Sequence, residues 1–339
     1  MSKRRVTSGM RPTGSMHLGN LHGALDNWVR LQKNYDCFFF IVDWHALTTP
    51  GGGGAVGYES VGNLRENVVE MAIDWVAAGL DPGSCAIFVQ SHVKEVAELH
   101  LLFSMITPLG WLERNPTYKE MLLGYKIEHP SYGLLGYPTL QAADILAYRG
   151  EFVPVGKDQE AHVNMTRDLA QRFNSLFGRA IFPITEVLLT EIPKVPGIEA
   201  VDKKMSKSAG NYIALAHSEA DTAERIRIMF TDPAKIRRND TGHPDGCVVH
   251  AFHGFYNKAA QPLVRGECEQ GRRGCVDCKR ELAARMNEAL RPVRERRREL
   301  EKDPDYVMDV LKDGGMRARA VAQQVMEKVR EATGLPTTY

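Results

Sequence analysis

Along the first two hundred residues the apolar positions switch between two periods. Short runs rich in β-branched and aromatic residues predict strands: "RVTS" (Arg5–Ser8), "CFFFIVD" (Cys37–Asp43), "CAIFVQ" (Cys85–Gln90) and "FVPVG" (Phe152–Gly156). Between them, "NLHGALDNWVRLQ", "NLRENVVEMAIDWVAAGL" and "YPTLQAADILAY" carry apolar residues at three- and four-residue spacing, which predicts helices. Apolar strands alternating with helices argue for an α/β unit with a parallel sheet covered on both faces. Ligands of such sheets bind beyond the carboxyl ends of the strands, so "TSGMRPTGSM", "DWHALTTP" and "VGKDQ" are the loops expected to hold chemistry. "PGGGGAVG", Pro50 to Gly57, reads as a mobile surface loop without a chemical role.

Strand signals stop after about Asn211. From Cys278 onward the pattern is helical: "KRELAARMNEALRPVRERRRELE", "YVMDVLKDGG", then "MRARAVAQQVMEKVREATG". Pro292 is predicted to kink or divide the first of these, and Gly314 and Gly315 to end one helix before the next begins. A second, mainly helical domain follows.

The bulk numbers narrow the class. A chain of 339 residues has length for two domains at about 150 residues each. A net charge of +1 rules out a globally basic nucleic-acid coat and leaves room for local basic patches. The longest strongly apolar run, "CFFFIV", is far short of the ~20 residues of a membrane helix. "MSKRRVTSG" has no apolar stretch of the secretory kind, so the expected compartment is the cytoplasm, where thiols stay reduced.

Two segments point to phosphate chemistry. In "SGMRPTGSMHLGNLHGAL", Ser8 to Leu25, a strand runs through a Gly/Pro loop into a helix near His17. Such a helix start offers unpaired N–H groups, and His17 and Asn20, three apart, can both face it as donors. In "VDKKMSKSAGN", Val201 to Asn211, lysines 203, 204 and 207 with serines 206 and 208 form a polar loop rich in phosphate donors. Taken singly, a histidine-capped turn and a solvated basic loop would read the same way.

Together they are specific. "HLGN" and "KMSKS" resemble the two signature motifs of class I aminoacyl-tRNA synthetases, in the order and spacing of the tryptophan/tyrosine branch. The intervening "YPTLQAADILAYRGEFVPVGKDQEAHVNMTRDLAQRFN", Tyr137 to Asn174, is similar to tryptophanyl-tRNA synthetases. The resemblance implies a Rossmann-type catalytic domain over 1–200, a KMSKS loop over 201–211 that closes on ATP, and a helical anticodon-recognition domain over 212–339.

Pro138 suits a first helical position, which sets Tyr137, Gln141 and Asp144 on one helical face. A buried carboxylate is an acceptor and the indole N–H is donor-only, so Asp144 is a sensible selector for tryptophan. By resemblance, Tyr137 and Gln159 hold the α-amino group, and Ser8, His45, Gln141, Val153 and Val155 line the pocket. Met10, Arg11, Gly19, Asn20, Asp158, Lys204, Met205, Ser206 and Lys207 meet ATP, and His17, Asn20, Lys204 and Lys207 are the catalytic donors. Gln141 stands where many members carry methionine, and Lys157 where a glutamate is common. His162 is read as structural.

The implied reaction is attack of the tryptophan carboxylate on the ATP α-phosphate, with Mg²⁺ assisting, then transfer to the tRNA. Catalysis of this kind needs positioning and charge stabilisation and no protein nucleophile. A tyrosine-specific member usually carries a tyrosine at the end of its first strand, where this chain has "VTSG". A non-catalytic RNA-binding paralogue tends to lose the phosphate donors, which are all present here. The resemblance also implies a homodimer and contact of the second domain with the tRNA anticodon. There "RPVRERRREL" offers Arg294, Arg296 and Arg297 to phosphates.

Cys37 and Cys85 sit in apolar runs and read as core thiols. Cys247, Cys268, Cys275 and Cys278 follow with spacing C-x20-C-x6-C-x2-C. Four thiolates complete either a tetrahedral zinc site or a cubane cluster. A subset of bacterial tryptophanyl-tRNA synthetases has the same C-x6-C-x2-C ending on a [4Fe–4S] cluster beside its anticodon region, which favours iron–sulfur. His243, His250 and His253 nearby would suit zinc, the alternative.

Overall fold

A computed structural model of the chain describes residues 3–48, 62–156, 160–189 and 194–336. The glycine-rich loop at 51–57 and the residues Lys157, Asp158 and Gln159 lie outside the described residues. The chain separates into two compact units that interleave along the sequence. The first comprises Met1–Gly14, Asn27–Ile192 and Asp303–Tyr339, the second Ser15–Asp26 and Pro193–Lys302.

The first unit is built on a five-stranded sheet, β1 (Arg5–Met10), β2 (Asp36–Ile41), β3 (Cys85–Val89), β4 (Phe152–Val155) and β5 (Glu186–Leu189), in the order β3-β2-β1-β4-β5. Every pairing is parallel, as apolar strands separated by helices require. Sequence periodicity misses β5 because this short edge strand is half exposed and has no apolar run to announce it. Cys37 and Cys85 stand opposite each other in the β2–β3 register; both are buried, and burial pushes both thiols up to about 12, as befits core residues.

Two helical expectations change in this unit. The helix Tyr132–Leu146 starts before Pro138, because the Ser131 hydroxyl accepts from the Leu134 N–H at 3.1 Å and supplies the cap. Pro138 is therefore an interior residue, at the cost of one backbone bond to the Leu134 carbonyl. Similarly, Gly314 and Gly315 do not end a helix. Pro304–Thr333 runs through them without a break. A Cβ on Gly314 would lie 2.0 Å from the Ile87 carbonyl oxygen, so glycine is there to let the helix backbone approach β3.

That helix places the end of the chain in the first unit, whereas the linear reading put 212–339 in a second domain. Ala318, Ala322, Val325, Met326 and Val329 join the core around Phe88 and Phe103. Arg317 donates to the Pro82 and Cys85 carbonyls at 2.7 and 2.8 Å, and Arg330 clasps Glu98. The periodicity is correctly helical, but it does not say which layer receives the apolar stripe.

The second unit joins two distant segments. Leu18 N–H donates to the Ile213 carbonyl at 3.0 Å and Leu215 N–H to that of Met16 at 2.8 Å, an antiparallel bridge centred on His17 and Ala214. Helices follow at Glu219–Arg227, Val248–Tyr256, Gln261–Glu269 and Cys275–Leu300. The last passes undivided through Pro292, which is exposed, so water can serve the carbonyl left without a partner.

Candidate functional site

In the first unit one buried carboxylate is held by two neighbours. Asp144, 2% exposed, stands on the helix Tyr132–Leu146. His45, from the helix Asp43–Thr48, brings its Nε2 to 3.0 Å from Asp144 Oδ2. Gln90, fully buried just past β3, places its Nε2 2.8 Å from Oδ1 and 2.7 Å from Oδ2. Burial pushes the Asp144 carboxyl upward, and the bonds from His45 and Gln90 oppose it. An ionised carboxylate offers about four accepting positions. Among the described residues Gln90 and His45 give Oδ2 two partners and Oδ1 one, which leaves Oδ1 an accepting position.

Tyr137, buried two turns before Asp144, donates its hydroxyl to Asn115 Oδ1 at 3.4 Å, and burial pushes it up to about 12. Gln141 lies between them on the same helix, half-buried. Val153 and Val155, two apart on β4, share one strand face, and Ser8 is half-buried within β1. Met10 ends β1 half-buried and Arg11 follows it exposed. Asp158 and Gln159 fall outside the described residues, and the side chain of His162, in the helix Glu160–Leu176, is not described.

In the second unit, the two phosphate-donor segments meet. His17 is 9% exposed; its N–H donates to Asn20 Oδ1 at 3.1 Å, which orients the Asn20 NH₂ group as the remaining donor. Burial, then the charges of Lys207 and Lys204, lower His17 to about 4. The imidazole is therefore neutral at physiological pH, and its buried Nδ1 has no hydrogen-bond partner among the described residues. A Cβ on Gly19 would lie 2.9 Å from the His17 ring, so the glycine leaves room for that imidazole, and Met205 stands beside it at ordinary contact distance. Asn211 braces the lysine segment. Its Oδ1 accepts from Ser206 N–H at 2.8 Å, and the Met205 N–H bonds to the Val195 carbonyl at 3.1 Å. Lys204 is exposed and Lys207 half-buried.

The four remaining cysteines also converge. Cys247 precedes the helix Val248–Tyr256, Cys268 lies in Gln261–Glu269, and Cys275 and Cys278 occupy the first turn of Cys275–Leu300. Each lies within electrostatic reach of the other three. Burial pushes Cys278 up to about 12 and raises Cys247 and Cys268. Lys235, Arg273 and Lys279 bring positive charge to the group, which suits thiolates better than thiols. Among the described residues no three histidine, cysteine or acidic side chains are close enough to hold a metal ion as they stand. Of the histidines considered for zinc, His243 turns to Asp232 at 2.8 Å and is exposed, while His253 is buried with Nε2 3.4 Å from Cys278 Sγ.

The arginine expectation narrows. Arg294 is buried and donates to Thr222 Oγ1 at 2.7 Å and Asn287 Oδ1 at 2.9 Å; Arg297 is buried against Glu301 at 3.0 Å. Every third or fourth residue of this helix faces its neighbours, and these two fall on that stripe. Arg296 is exposed, as are Arg291 and Arg298.

Periodicity did not single out Gln90, Asn115 or Asn211. The one visible signal was a polar residue closing the apolar run "CAIFVQ", at the carboxyl end of a parallel strand.

The description "tRNA synthetases class I (W and Y)" fits residues 1–291 as a family. The chain is 46% identical to the tryptophan–tRNA ligase of Thermotoga maritima over 98% of its own length and 99% of the relative's. It is 41% identical to that of Aquifex aeolicus, over 98% and 100%. The tryptophanyl-tRNA synthetase of Campylobacter jejuni, crystallised with ADP and tryptophan, has a similar structure. Its TM-score is 0.86 at 33% identity, over 98% of this chain and all of that one.

Proposed function

The chain belongs to the class I tRNA synthetases of the tryptophan and tyrosine branch and is a tryptophan–tRNA ligase, and on that premise we propose how its residues divide the work. Asp144 selects tryptophan by accepting the indole N–H on Oδ1. The open accepting position of this buried carboxylate is the observation that carries the reading. An amino acid without that donor would leave the position unpaired in a low-dielectric pocket, which such sites reject strongly. Tyr137 and Gln159 take the α-amino group, with Ser8, Gln141, Val153 and Val155 lining the pocket.

ATP is bound by Met10, Arg11, Gly19, Asn20, Asp158, Lys204, Met205, Ser206 and Lys207, as its Mg²⁺ complex. The tryptophan carboxylate attacks the α-phosphate and pyrophosphate leaves. His17, as a neutral N–H donor, with Asn20, Lys204 and Lys207, stabilises the charge that builds on the phosphates. The aminoacyl group then passes to the tRNA, which the second unit meets through exposed arginines, Arg296 among them.

Cys247, Cys268, Cys275 and Cys278 would hold a [4Fe–4S] cluster, with zinc as the alternative. The four-thiol donor set and the three cations within electrostatic reach of it support this reading, and the cysteines would have to draw closer together than they stand to bind either metal. The group would supply a structural cross-link in the tRNA-facing unit and no step of the ligation. A homodimer is supported by apolar side chains left exposed on the helices Glu95–Ile106, Leu109–Glu113 and Pro116–Gly124: Leu101, Met105, Leu109 and Leu123. No helix among the described residues is long and apolar enough to cross a membrane.

ATP–pyrophosphate exchange with tryptophan and with tyrosine, run beside metal and sulfide analysis of anaerobically purified protein, tests this division. Tryptophan should support exchange and tyrosine should not, with iron and sulfide present in equal amounts. Comparable exchange with tyrosine would overturn the role of Asp144, and a colourless zinc-loaded protein would reverse the order of the two metals.

A further inference from the structure

We propose that Gln90 is a positioning residue for tryptophan recognition: its amide fixes the plane of the Asp144 carboxylate and determines that Oδ1 is the oxygen left for the indole N–H. This rests on the reading of Asp144 as the indole acceptor. Gln90 closes β3 and is fully buried, so its amide must find partners within the protein. Gln90 Oε1 accepts from two backbone N–H groups at the start of the helix Asp43–Thr48, Trp44 at 3.0 Å and His45 at 3.4 Å. Turning the amide over would set its NH₂ against those donors, so the geometry allows one orientation.

The NH₂ end then stands astride Asp144, 2.8 Å from Oδ1 and 2.7 Å from Oδ2, and occupies the inner side of both oxygens. His45 Nε2 takes the outer side of Oδ2 at 3.0 Å. Among the described residues, Oδ1 has one partner and Oδ2 two, so the accepting position still open is on Oδ1. Gln90 also holds the backbone of His45, the other partner of Asp144, so one buried amide sets both neighbours of the selecting carboxylate. A rotation of the carboxylate about its Cβ–Cγ bond would offer the indole N–H a poorer angle, and hydrogen bonds weaken steeply with misalignment.

The test compares tryptophan with β-(benzothiophen-3-yl)alanine, which has the same shape and no indole N–H, by kcat/KM in ATP–pyrophosphate exchange. The ratio of the two values does not depend on the fraction of protein that is folded. Wild type should favour tryptophan by about 10⁴-fold, and Gln90→Met should cut that ratio by about 100-fold, through loss on tryptophan alone. Should Gln90→Met give no folded protein, Gln90→Leu provides the same reading. A ratio unchanged in either variant, with both substrates falling together, would mean that Gln90 serves only the scaffold, and the proposal fails. Asp144→Leu, which removes both acceptor oxygens, separates the two levels. If it keeps the wild-type ratio, the indole-acceptor reading is itself wrong; if it collapses the ratio while Gln90→Met does not, only the role of Gln90 is wrong.

Discussion

In the first unit the chemistry centres on Asp144, a carboxylate 2% exposed and held by two neighbours; in the second it centres on lysines 204 and 207, outside the core, around a histidine kept neutral. The first arrangement suits recognition. A buried acceptor with one open position discriminates because an unmatched partner leaves it unsatisfied. The second suits catalysis, where donors gain most if they meet charge only as it develops on the phosphates. On the proposed division, selection and rate are carried by opposite electrostatic arrangements, and each can be perturbed on its own.

The most severe test removes a donor from the second unit. Lys207→Ala should lower adenylate formation by about 10²- to 10³-fold, while tryptophan affinity by calorimetry stays within about twofold. Equal loss of both would erase the division between the units.

Next in size is a change buried in the first unit. Gly314→Ala forces the C-terminal helix away from the Ile87 backbone and should cost about 2–3 kcal/mol in thermal unfolding. Because β3 leads into Gln90, the substitution should weaken tryptophan binding more than ATP binding. Loss confined to ATP would show that the helix serves the second unit instead.

The smallest effect concerns His17. Its value is lowered from 6.5 to about 4, so as pH falls below 6.5 the unfolded chain takes up a proton that the folded chain does not. Folded stability should therefore fall on acidification through this window, with no contribution from His17 above it. Melting temperatures from about pH 7 to pH 5 should drop more for wild type than for His17→Asn. Parallel curves would mean that His17 is not held neutral, and the second unit would then resemble an ordinary cationic site.

The parallel sheet, the two phosphate-donor motifs and the tryptophan-like segment were all legible in the sequence, because each depends on local periodicity or on residue types at short spacing. The short motifs carry their chemistry wherever the fold sets them. By contrast, the glycines at 314 and 315 looked like a helix end, since nothing local distinguishes a stop from a close backbone crossing. Arg294 and Arg297 looked like phosphate ligands, since charge alone does not say which helix face is covered. Gln90 was visible only as a polar end to an apolar run.

The sequence by itself determined the family, the element types and the chemical groups available. Only the tertiary structure decided that the last helix returns to the sheet and that Ser15–Asp26 joins the lysine segment. It alone showed Gln90, far from Asp144 in sequence, holding that carboxylate astride its amide. The physical reason is that spacing along a chain encodes which faces are apolar and which groups are donors. Burial and partner choice arise only when distant segments pack and their polar atoms must all find a match.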